Sequence, residues 1–95
     1  MRLHWTDTAI EQLSAIHAYY KQNSPTYAQR IVDRLTRRSQ QIINFPLSGR
    51  IVPEMNIPQI REVVEGPYRI IYYIKTDQID VLAVIHGSQQ ILWDK

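Results

Sequence analysis

The chain has no cysteine, so neither a disulfide nor a thiolate metal site can contribute to its fold or chemistry. Glycine is scarce, and Gly49, Gly66 and Gly87 each stand alone at a turn, so no glycine-rich loop is available to cradle a phosphate. A nucleophile elbow is missing as well. His4 and His17 lack metal-ligand spacing, so neither a metal nor any other cofactor is expected. No stretch approaches the roughly 20 apolar residues of a membrane span, and the first residues carry no long apolar run. The expectation is a soluble, unexported, cytoplasmic protein with no membrane partner. Charge of either sign is modest, with eleven Lys and Arg against nine Asp and Glu and a net charge of +2. Arginine outnumbers lysine, which tilts the expected partner toward acidic peptide or nucleic acid, because its planar fork suits carboxylate and phosphate.

What is present is enough for one small domain over residues 1–95, with no internal repeat or low-complexity tract. Residues 2–5 read as a short opening strand. Thr6 or Thr8 can cap the helix that follows, and Glu11, three residues after Thr8, suits a capping box. That helix runs to about Lys21, with Ile10, Leu13, Ile16 and Tyr20 recurring along one side. Asn23-Ser24-Pro25 ends it and starts another, Ser24 as cap and Pro25 in the first helical position. In this second helix, which extends to about Asn44, Ala28, Ile31, Val32, Leu35, Ser39, Ile42 and Ile43 share one arc. Arg30, Arg34, Arg37 and Arg38 share the opposite one. They read either as a solvated face or as a contact surface for a partner.

Phe45-Pro46 closes the helical part, Ser48-Gly49-Arg50 makes a turn, and residues 52–58 read as irregular because Pro53 and Pro58 discourage regular structure. The last third is a three-strand meander with turns at Gly66-Pro67 and Thr76-Asp77-Gln78. Its final run, 79–85, is apolar on both faces beyond Asp80, as in a central strand. If the opening strand pairs back onto this sheet, the order is β-α-α-β-β-β. The fold class is α+β, with a helical hairpin packed on a small, mostly antiparallel sheet. Arg61 and Arg69 fall inside strands. Desolvating them is costly, so each should stand on an open sheet face or pair with Glu62, Glu65 or Asp80. An open basic face would hold something anionic.

The order of these pieces resembles the RelE/ParE superfamily of toxins from bacterial type II toxin–antitoxin modules. The resemblance rests on Pro46-Leu47-Ser48-Gly49-Arg50, Arg61-Glu62, Tyr68-Arg69-Ile70-Ile71-Tyr72 and Val84-Ile85-His86-Gly87, and it covers nearly the whole chain. It implies a growth-arresting toxin neutralised by a cognate antitoxin, which binds operator DNA through its own N-terminal domain. One branch of the superfamily cuts mRNA in the ribosome, and another poisons DNA gyrase. The turn motif and the Val-Ile-His-Gly ending are more similar to the gyrase-directed branch. The nuclease branch usually carries further lysines or arginines on the strand of Arg61 and a tyrosine near the C-terminus, where this chain has Trp93 and no tyrosine after Tyr73.

Cleaving RNA through its own 2′-hydroxyl needs a base, cations on the phosphorane and a donor to the leaving oxygen. Arg69 with Arg61 or Arg50 would be the cations, Glu54 or Glu62 the base, and His86 the proton donor. The same residues also have structural readings: Arg69 as a cross-strand ion pair, His86 as a hydrogen-bonded strand end. Arg30, Arg34, Arg37, Arg38, Arg50, Tyr20 and Trp93 are the candidates for contact with antitoxin or target. Most aromatics follow helix or strand periodicity and read as core, with one or two available to stack on bases. An interaction module without toxicity is the third reading, because a fold does not dictate its target.

Overall fold

A computed structural model of the chain describes residues 1–88. Strand β1 (Arg2–Trp5) leads into helices α1 (Asp7–Lys21) and α2 (Pro25–Asn44). A short 3-10 turn (Pro46–Ser48), β2 (Arg50–Ile51), β3 (Ile60–Glu65), β4 (Tyr68–Ile74) and β5 (Gln78–His86) follow. The five strands form one sheet in the order β1-β5-β4-β3-β2, with β1 parallel to β5 and the remaining neighbours antiparallel. The expected α+β arrangement is therefore present, and β5 is an interior strand between β1 and β4, as its apolar composition predicts. Strand β2 is an addition. Its two residues are held by Glu62 and Arg61 of β3, a pairing too short to leave a periodic signature in the sequence.

The helix ends follow their caps. Thr6, not Thr8, caps α1: its hydroxyl accepts from the Ala9 amide at 3.2 Å and donates to the Val81 carbonyl at 2.8 Å, tying the helix start to β5. The Ser24 hydroxyl accepts from the Tyr27 amide, and Pro25 occupies the first turn of α2. Ala9, Ile31, Leu35 and Ile42 from the helices meet Val63, Tyr68, Ile70, Tyr72, Ile79, Val81 and Val84 from the sheet. Ile10 departs from expectation. It stands exposed, because it lies at the margin of the buried stripe that Ala9, Leu13, Ile16 and Tyr20 complete.

A bulge in β5 explains how Val81 and Val84, three residues apart, both reach this core. Register passes from Ala83 opposite Ile71 to Val81 opposite Tyr72, leaving Leu82 as the extra residue that resets the alternation. Among the described residues, the other face of the sheet is covered by the 52–58 loop, whose Val52 and Met55 pack on Ile60, Ile71 and Ala83.

The 3-10 turn is fastened to the sheet by one buried phenol. The Tyr72 hydroxyl donates to the Pro46 carbonyl at 2.6 Å and accepts from the Gly49 amide at 3.1 Å. A Cβ at position 49 would overlap both that hydroxyl and the Glu62 carbonyl, so glycine is required here for close approach. The substitution Gly49→Ala is expected to destabilise the fold by roughly 1–3 kcal/mol, as overpacking does. Urea denaturation measures it, and Gly66→Ala, whose added Cβ meets no neighbour but whose positive φ is strained, provides the comparison.

Candidate functional site

Two places concentrate the polar side chains singled out by the sequence. The first lies on the loop-covered face of the sheet. Glu62 of β3 is fully buried, opposite Arg50 of β2 and diagonal to Arg69 of β4. Arg50 reaches one Glu62 oxygen through Nε and Nη2, both at 2.8 Å. Arg69 binds the other through Nε at 3.0 Å and also through Nη2. Arg69 then makes a bidentate contact with Glu54 of the loop, at 2.8 and 2.9 Å. The expectation that Arg69 either stands on an open face or pairs with a nearby carboxylate resolves to pairing. Glu62 is the partner that was foreseen, Glu54 the one that was not, and Asp80 is engaged elsewhere, by Lys75 and His4.

No open basic sheet face therefore exists at Arg69. Glu54 and then Glu62 hold its guanidinium well above the usual arginine range, and the Arg69 hydrogen bonds hold the Glu54 carboxyl below its ordinary value. A cation already shared by two carboxylates has little field left for a phosphorane. Arg61 meets neither expectation: it donates to the backbone carbonyls of Pro58 and Gly49, each at 3.0 Å.

Arg69, Arg61 and His86 are not brought together. Cross-strand partners share a face, and Arg61 is opposite Tyr72 while His86 is opposite Tyr68, two residues on the helix side. Arg69, between them in sequence, points to the other side. His86 packs edge-to-face on Tyr68 and shares a 2.7 Å hydrogen bond with the Ser88 hydroxyl.

The second place is the outer face of α2. Arg30, Arg34 and Arg37 are exposed and Arg38 half-buried, as the helical period predicts. Among the described residues no carboxylate lies within ion-pair distance of any of the four. Arg34, Arg37 and Arg38 line an open hollow of about 300 Å³ with Gln41 and, across from them, Glu65 at the end of β3. Arg34 and Glu65 continue into a smaller hollow of about 80 Å³, walled by Tyr27, Ile31, Pro67 and Tyr68. Tyr20 adjoins it half-buried, its ring edge-on to Tyr27 and its hydroxyl accepting from Tyr68 at 3.1 Å. Trp93 lies outside the described residues.

Sequence reasoning placed Glu54 beside Arg69 as a base and not as its ion-pair partner, offered Glu65 only as a partner for the strand arginines, and took Tyr27 as core or groove lining without joining it to the arginines of α2. Glu54 sits in a proline-rich loop where spacing carries no information about what it faces. Tyr27 was detectable, since it precedes Arg34, Arg38 and Gln41 by steps of seven, four and three residues on one helical stripe.

The sequence also matches, over residues 3–91, the family described as the ParE toxin of the type II toxin–antitoxin system parDE. The chain belongs to the ParE toxin family. It is 35% identical over 91 residues to "Putative toxin Y4kP" of Sinorhizobium fredii, covering 94% of this chain and 91% of that protein. It is 33% identical over 86 residues to "Toxin RelE2" of Caulobacter vibrioides, covering 90% and 93%. A solved structure described as the chromosomal ParDE TA system from P. aeruginosa has the same fold, with a TM-score of 0.77 over 90% of this chain and 95% of that one, at 22% identity. This ParE toxin is thus a type II toxin of the RelE/ParE superfamily, and none of its described helices is long and apolar enough to cross a membrane.

The buried network makes a stability prediction. Arg69→Ala leaves Glu62 in the interior with one cation instead of two and is expected to cost roughly 3–5 kcal/mol in urea denaturation. The folded-state pKa of Glu54 is depressed below its ordinary 4.5 by Arg69. Its contribution is therefore fully present above that value and is lost as pH falls through the depressed one. Asp80, depressed chiefly by Lys75, behaves alike. Stability should hold level from neutral pH to about 5 and fall below it, with a shallower fall in Glu54→Gln.

Proposed function

We propose that this ParE toxin arrests growth by inhibiting DNA gyrase without chemistry of its own, and that a cognate antitoxin neutralises it by binding. The observation that carries the reading is the state of Arg69: its charge is spent on Glu54 and Glu62, and Arg61 and His86 lie on the other side of the sheet. A ribosome-dependent mRNA endonuclease built on those three residues would need them around one phosphate. The match to the ParE toxin family supports the same reading. Gyrase, in place of ribosome and mRNA, is then the target.

Pulse labelling after induction of the chain without antitoxin tests this. Thymidine incorporation is expected to fall within minutes, ahead of methionine incorporation. An immediate loss of methionine incorporation with DNA synthesis intact would give the target to the ribosome, and no effect on either would leave an interaction module.

The antitoxin segment is expected to lie across the helical hairpin and sheet edge and to be acidic, matching Arg30, Arg34, Arg37 and Arg38; operator DNA is then held through the antitoxin. Electrostatic steering makes its association rate fall as salt rises. Stopped-flow association should slow several-fold between about 0.05 and 0.5 M salt, and a salt-independent rate would move the docking surface off these arginines.

A further inference from the structure

The groove between α2 and the β3–β4 turn combines three features that rarely serve one purpose by accident. Its floor carries guanidinium groups from Arg34, Arg37 and Arg38 that no described carboxylate neutralises. The adjoining smaller hollow is largely apolar and aromatic, lined by Tyr27, Ile31, Leu35, Pro67 and Tyr68. Its far wall holds Glu65, an acceptor that is not ion-paired to the arginines opposite.

Each feature asks for a different part of one ligand. The arginine forks suit phosphate oxygens. The ring of Tyr27, partly exposed, offers a face or edge for a planar base. Glu65 accepts from an exocyclic amino group or a sugar hydroxyl. An acidic peptide, such as the antitoxin segment expected on this face, satisfies the first feature but leaves the Tyr27 ring and the Glu65 acceptor unused. The site is also longer than a single nucleotide needs: from Tyr27 to Arg38 it spans about 17 Å of helix at about 1.5 Å per residue.

We propose that this groove binds a single strand of nucleic acid, with a base against Tyr27 and successive phosphates on Arg34, Arg38 and Arg37. The site stands independently of gyrase as target, and its test leaves that question untouched. Arg34 and Arg37 are exposed and Arg38 half-buried on a helix whose core contacts lie on the opposite face, so replacing them leaves the fold in place.

The test is fluorescence anisotropy of the full-length chain with a labelled twelve-residue oligothymidylate, a labelled polyglutamate of equal charge, and ATP as the single-nucleotide probe. Three phosphate contacts give a log–log salt slope near −2 for a single strand. Arg34→Glu with Arg38→Glu should abolish measurable binding. Tyr27→Ala should weaken it about tenfold while keeping the slope, because it removes stacking and no charge. Circular dichroism and thermal melting confirm that each variant is folded. The proposal is overturned if the oligonucleotide does not bind, or if it binds with the double-arginine variant unaltered. Polyglutamate binding as tightly as the oligonucleotide would make the groove a polypeptide dock, and ATP binding as tightly would reduce the site to one nucleotide; either result also overturns the strand.

Discussion

The Glu62 carboxylate is the constraint around which the C-terminal half is arranged. A carboxylate with no solvent exposure is tolerable only when cations and hydrogen bonds replace its hydration. Three elements converge to do so: Arg50 from β2, Arg69 from β4, and, through Arg69, Glu54 from the 52–58 loop. An ion pair of this kind contributes little net stability compared with apolar side chains of the same volume. What it does contribute is discrimination. A one-residue slip of β3 against β4 would turn Glu62 toward the helices, among Tyr72, Ile70 and Leu35, and away from Arg50 and Arg69. The network therefore penalises the wrong register far more than it stabilises the right one.

Three of the four segments by which the chain resembles its superfamily turn out to be parts of one contact set. Pro46 and Gly49 clasp the Tyr72 hydroxyl, Arg61 donates to the Gly49 carbonyl, and Arg50 and Arg69 share Glu62. The turn, the Arg-Glu pair and the Tyr-Arg-Ile-x-Tyr strand constrain one another because they touch. Residues engaged in this way specify the fold. The surfaces that decide a target are those the motifs leave out, so likeness in the motifs speaks to architecture more than to activity.

Where sequence and structure agree, a local cause was at work. Ser24-Pro25 marks a helix start by hydrogen-bond chemistry within four residues, and the two arcs of α2 follow from helical period alone. The apolar run of β5 identifies a strand covered on both faces. Where they part, the cause is tertiary. The choice of Thr6 over Thr8 as cap depends on the Val81 carbonyl, 75 residues away in sequence, to which Thr6 donates. The bulge at Leu82 depends on which residues of β5 must reach the helices. The partner of Arg69 depends on how a loop with two prolines folds back across the sheet, so Glu54 was weighed as a base and not as a clasp. Charge on a strand identifies a residue that needs compensation; it does not say from where.

The contrast between the two sets of arginines then has functional weight. Arg50 and Arg69 are engaged by carboxylates, and Arg61 by backbone carbonyls. Among the described residues no carboxylate pairs with the four on α2, although Asp33 lies on the same helix and Glu65 stands across the groove. Asp33 is occupied with the Gln29 amide, and its backbone carbonyl, not its carboxylate, receives Arg37. A surface guanidinium that meets only neutral acceptors keeps its charge, which stays available to an anion from outside. The chain thus consumes positive charge where it is needed to build the sheet and leaves it available along one helix. An anionic partner, whether antitoxin or nucleic acid, gains most by meeting this toxin on α2.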